Sequence, residues 1–328
     1  METIATSAEY SNGIQCKSSS DLRNGRWNEL LKTDRAFLYR NGNWRDNVYV
    51  ILCNPDDFRP FLPKHLEGTR FDPDRASGLT CSLPGLKHGR TRQLLWVCET
   101  PNAMRAFEVL VHEAIHVASF ALAARGIPLD LRCDGACECL GFFVEDLLAE
   151  TMPFFEKKFG IQGADLPRKG TRKDRLAIRG GKGSTLRAMK KLGVAHEHAD
   201  KTWRAWVTAV VCNAEDADPM FNYVAEPGFP RMDEDTGRVW FASSSSHVLV
   251  WADGSRGARA AYASLAHGAV IAAGKILAGC GVDVDLAKTG SSECVAYFVQ
   301  NFFESIRPWF LSRFARTLEF PAAEKMAV

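Results

Sequence analysis

Apolar residues gather into runs of two kinds along the chain. Short β-branched runs, "NVYVILC" at 47–53 and "QLLWVC" at 93–98, predict strands, and "AWVTAVVC" at 205–212 and "HVLVWA" at 247–252 predict two more. Each second run leads into a long segment with helical spacing. In the first of these, Thr100 is a plausible N-cap with Pro101 at the first helical position, and the pattern continues to Ala124 before Gly126 stops it. A short connection follows, "GIPLD" at 126–130 or "GVDVD" at 281–285. A further helix then begins near Glu138 or Glu293 and runs toward Pro153 or Pro308.

The order of elements occurs twice because the chain repeats itself. Residues 94–159 laid over 249–314, at a constant offset of 155, share 21 identities in 66 positions. Trp96 falls on Trp251, Leu110 on Leu265, His112 on His267, Gly126 on Gly281, Asp130 on Asp285, Glu138 on Glu293 and Pro153 on Pro308. Upstream, "NWRDNVYVILCNPDD" resembles "TWRAWVTAVVCNAED" at an offset of 159, so the second copy is four residues shorter in its middle. The expected organisation is α+β, each half a small sheet followed by two helices. Its segments are an N-terminal extension (1–25), a first domain (26–160), a basic linker (161–192), a second, degenerate repeat (193–315) and a C-terminal tail (316–328).

Composition narrows the class. At 328 residues, 46% apolar and 24% charged, the chain reads as a globular protein with a substantial core. A net charge of +2 gives no global case for a nucleic-acid or anionic-membrane partner. The first 25 residues lack a basic segment followed by an apolar core, and no uninterrupted apolar run reaches about 18 residues, so a cytoplasmic protein without a membrane partner is expected. The ten cysteines are scattered, several inside apolar segments, which fits a reducing compartment better than a disulfide framework.

Candidate chemistry lies in "LVHEAIHVASF" at 110–120. Positions four apart share a helix face, so His112 and His116 can offer imidazole nitrogens to one ion, with Glu113 alongside. Two imidazoles and one further protein ligand leave zinc an open position for water, whose proton a carboxylate at Glu113 can accept. Glu113 is thereby a general base and not a ligand. The bland alternative is a core helix with two hydrogen-bonded histidines. For the third ligand the first choice is Glu138, at the start of the returning helix; Glu145, Cys133, Cys137 and Cys139 compete with it. The cluster "CDGACEC" has irregular spacing and no fourth partner nearby, so it reads as packing and not as a second zinc site.

An HExxH helix, a "GIPLD" turn and a following helix that opens with a glutamate resemble gluzincin-type zinc metallopeptidases. More closely, "LVHEAIHVASFALAARGIPLD" followed by "ECLGFFVEDLL" resembles small zincin-like proteins of phage and prophage origin. The resemblance covers about 94–150, and again 249–305. It implies His112, His116 and Glu138 as zinc ligands, Glu113 as base, and hydrolysis of an amide bond in a protein or peptide substrate. That family follows its glutamate with an Ala-Tyr pair. The first half keeps HExxH but writes "ECLGF", whereas the second keeps "ECVAY" at 293–297 but has "HGAVI" at 267–271. With Gly268 for the base and Ile271 for the second histidine, the second half cannot build the same site. The rival reading is a non-catalytic protein that binds a macromolecular partner, the metal being structural or vestigial.

Other signals are weaker. Residues 167–191 carry ten Lys or Arg and one acid, which suits a solvated linker or an acidic or nucleic-acid partner. "RGGKGST" at 179–185 lacks the spacing of a phosphate loop. "AHEHAD", with His196 and His198, reads as surface. His88 and Arg92 would stabilise an oxyanion if their loop folded over the metal.

Overall fold

The computed structural model describes residues 29–42, 46–62, 71–83, 91–99, 103–160, 185–214, 216–217, 238–244, 246–288 and 290–314. The N-terminal extension, Thr100 and Pro101, His88, the core of the basic linker and the C-terminal tail lie outside them. The described residues are mixed α/β, with two four-stranded sheets and long helices.

In the first copy β1 (Ala36–Asn41), β2 (Asp46–Cys53), β3 (Gly78–Leu83) and β4 (Thr91–Cys98) form a sheet in the order β1-β2-β4-β3. The two central strands, β2 and β4, run parallel and each outer strand is antiparallel to its neighbour. The central strands are the two that the apolar runs foretold. The outer strands β1 and β3 extend the expected pair, because their short, mixed sequences AFLYRN and GLTCSL carry little period of their own. Beneath the sheet Trp96 stacks on Phe58 at 4.4 Å between ring centroids, and its Nε1 donates to Cys53 O at 3.1 Å.

Two helices follow, α1 (Ala103–Ala123) and α2 (Asp134–Lys158). Gly126 stops α1 as expected: at φ 68° it takes the left-handed conformation that a side chain disfavours, and Ile127 N turns back to Leu122 O at 3.1 Å. The second helix does not end at Pro153. Proline removes one backbone donor, but Phe155 and Glu156 beyond it are buried, and Phe155 packs on Phe107 at 5.6 Å, so tertiary burial carries the helix through.

The second copy repeats the plan after a short helix, α3 (Thr185–Lys191). Its strands β5 (Ala195–Asp200), β6 (Ala205–Cys212), β7 (Arg238–Ser244) and β8 (His247–Asp253) take the order β5-β6-β8-β7, again with a parallel central pair. Trp251 Nε1 donates to Cys212 O at 3.1 Å, the counterpart of the Trp96 bond. Then come α4 (Ala258–Gly279) and α5 (Ser291–Arg313), which passes through Pro308 as α2 passes through Pro153. Within α1 and α4 the stretches Arg105–Ala123 and Ala258–Gly279 are long and apolar enough to cross a membrane, but 89% of each apolar window is buried in the fold, as in core helices.

The compact units do not follow the two sequence halves. One contains Met1–Lys158 together with Asp283–Gln300; the other contains Phe159–Val282 and Asn301–Val328. A boundary near residue 160 was expected, but the return of 283–300 to the first unit was not. The turn after α4 explains it. Asp285 forms an antiparallel bridge with Asp130, its own counterpart in the repeat, flanked by Leu131 N to Val284 O (3.2 Å) and Leu286 N to Leu129 O (3.0 Å). The first ten residues of α5 therefore belong with the first sheet.

Candidate metal centre

His112 and His116 stand one turn apart in the middle of α1, on a buried stretch of mostly Val, Ala, Ile and Leu that also holds Glu113 and Ser119. Their Nε2 atoms lie 3.2 Å from each other. The carboxylate that meets them is Glu293, in the first turn of α5: its Oε2 is 3.5 Å from His112 Nε2 and its Oε1 is 3.3 Å from His116 Nε2. One ligand atom from each of the three lies within 4.8 Å of the others, and all three side chains are buried. All belong to the first unit.

Glu138 was expected beside these histidines; the carboxylate that stands there is Glu293, its counterpart 155 residues on. Glu138 lies half-buried near the start of α2 and is not in the group; neither are Glu145, Cys133, Cys137 or Cys139. Cys137 is buried and donates to Leu131 O at 2.8 Å, Cys139 is half-buried and Cys133 is exposed; the nine described cysteines are free thiols.

Glu113 occupies the adjoining surface of α1 and leans on β3. Its stem passes over Gly78, and its backbone carbonyl accepts from Thr80 Oγ1 at 3.2 Å. The carboxylate Oε2 is buried without a hydrogen-bond partner. Burial raises the Glu113 carboxyl to about 7; the His112 imidazole and Thr80 pull it back in part, and the Glu293 charge adds to the rise. Burial and the neighbouring His112 depress His116 to about 4, against the opposing pull of Glu293, which favours the neutral imidazole that a metal ion needs at ordinary pH.

Tyr297, one turn after Glu293, sets its ring edge-on to His112 at 4.6 Å between centroids. Burial first, then Glu293 and Glu113, push its phenol up. The sequence marked "ECVAY" as the part of the family pattern that the second half keeps, without assigning it to the histidines of the first. The signal was nonetheless present: HExxH survives in one copy and Glu-Cys-Val-Ala-Tyr in the other, as two parts of one site would.

Other expectations moved. His198 is not at the surface but buried on β5, its Nε2 3.8 Å from Asp200 Oδ2. Arg92 pairs with Leu83 at the far end of β3 from Gly78, five residues along the strand, which does not bring it to Glu113. In the second copy His267 is buried on α4, with Gly268 and Ile271 beside it in the core. Comparisons of the chain with protein-family models, with curated proteins and with solved structures find no match.

Proposed function

We propose that this chain is a zinc-dependent hydrolase of zincin-like design that cleaves an amide bond, with one metal site in its first compact unit, built from residues of both copies. His112, His116 and Glu293 are the ligands and Glu113 the general base. The observation that carries the reading is the convergence of two imidazoles and a carboxylate inside a core, beside a second carboxylate. Burying four such groups is costly unless something is bound among them, and His112 Nδ1 and Glu113 Oε2 have no hydrogen-bond partner to offset that cost.

The donor set suits zinc: two nitrogens and one oxygen, leaving an open position. Zinc bound there would supply a water acidic enough to give up its proton near neutral pH. The chain's residues do the rest. Glu113, its proton affinity raised by burial to near 7, accepts that proton and returns it to the departing amine. The Tyr297 ring braces His112, and the surrounding apolar side chains keep bulk water from the carboxylates.

Elemental analysis of the purified protein tests the metal, and Glu113→Gln tests the base. The expected result is one zinc per chain, retained in Glu113→Gln, with peptide hydrolysis lost by about a hundredfold or more. Undiminished hydrolysis in Glu113→Gln would remove Glu113 as the base, and zinc bound without any hydrolysis by the unaltered protein would favour a structural metal in a partner-binding protein.

A further inference from the structure

We infer that Gly78, the first residue of β3, is a positioning residue for Glu113: its missing side chain is the seat in which the base lies. The inference rests on the reading of Glu113 as the base. Gly78 is not a residue of left-handed backbone, since the positive-φ glycines are at other positions. Space is therefore the reason for glycine here. A Cβ at 78 would fall 2.7 Å from Glu113 Oε1 and 2.9 Å from Glu113 Cγ, nearer than carbon contacts allow, and 2.7 Å from Val109 Cγ1. Both the stem and the carboxylate would have to move.

The strand meets Glu113 a second time. Residues 78 and 80 share one face of β3, and the Thr80 hydroxyl donates to the backbone carbonyl of Glu113. Thr80 fixes the height of the helix over the strand at this residue, and Gly78 leaves the side chain its place beneath. The carboxylate Oε2 has no hydrogen-bond partner to hold it there, so the space left at Gly78 bears on where it lies.

Urea denaturation of the full chain in chelator, for Gly78→Ala alone and combined with Glu113→Ala or Val109→Ala, tests the seat. Gly78→Ala should lower the midpoint, and cutting back Glu113 should restore most of the loss, including folding itself if the single variant does not fold. An equal loss in the Glu113→Ala background, or full relief by Val109→Ala, would make Gly78 a helix spacer and overturn the inference. On zinc-loaded protein, calorimetry with acetohydroxamic acid reads the position of the carboxylate, which must accept the hydroxamate proton beside the metal. Gly78→Ala should weaken binding by about tenfold with zinc content unchanged, and weaken it no further when Glu113 is already Ala. Wild-type affinity in Gly78→Ala overturns the inference. A full chain that takes up no zinc overturns the proposed function instead, while the chelator series still decides the seat.

Discussion

The two copies share a sheet order, a buried tryptophan bonded to the same strand end and a helix stopped by the same glycine, yet their helices meet their sheets in opposite ways. In the first copy the helix carries the side chain, Glu113, and the strand carries the glycine, Gly78. In the second the helix carries the glycine, Gly268, and the central strand β8 carries the side chain: a Cβ at 268 would overlap Val250 Cγ1. The second copy therefore has no room for a side chain at the position of Glu113 without a shift of Val250. Polar groups differ likewise. Asp46 and Arg125 form a buried ion pair at 3.0 Å in the first copy, where the repeat places Ala205 and Cys280 in the second.

The comparison can be broken most decisively at the ligands. Glu293→Ala should weaken zinc binding by at least about a hundredfold, since loss of an outer-shell partner alone costs 10–100-fold. His267→Ala should leave the content at one zinc per chain, because a lone imidazole with no second histidine makes no stable site. Competition titrations with a chromogenic chelator measure both, and a second zinc lost in His267→Ala would restore symmetry between the copies.

Next in size is the closed space of the second copy. Gly268→Ala should destabilise the protein by about 1–3 kcal/mol through overpacking against Val250, and Val250→Ala should relieve much of it. Urea midpoints of the two single variants and the double variant decide the matter.

The ion pair sharpens the contrast through pH. Burial raises Asp46 to about 6, against the pull of Arg125, so the folded state holds a proton that the unfolded state has released. Its stabilising share is therefore complete below about 4 and is lost as pH rises through about 6. Asp46→Asn should remove that part of the decline in unfolding free energy between pH 4 and 6, read from denaturation curves at each pH. The smallest effect expected is at Glu138: Glu138→Ala should leave zinc affinity unchanged, where the same substitution at Glu293 should weaken it by at least about a hundredfold.

Much of this was legible in the sequence. Helical spacing put His112 and His116 on one face, the offset of 155 announced a shared plan, and Gly126 and Gly281 marked helix ends by conformations that other residues avoid. The outer strands were harder to read, since short segments such as GLTCSL are held by pairing with a neighbour more than by their own pattern. The helix ends beyond Pro153 and Pro308 were hidden because local propensity gave way to burial of Phe155 and Phe310. Glu293 was missed for a different reason. Periodicity tells which face a residue takes within its helix, not which helix it will meet, and an internal repeat offers two equivalent carboxylates for one pair of histidines.

Because Glu293 follows His116 by 177 residues, the site also has a place in time. During synthesis at about 5–20 residues per second, the HExxH helix precedes Glu293 by roughly 10–35 s. On the proposed reading, a growing chain that has not reached α5 would hold the base and two imidazoles without their third ligand. Hydrolytic competence would then wait for α5, and a chain cut short before it would be inert.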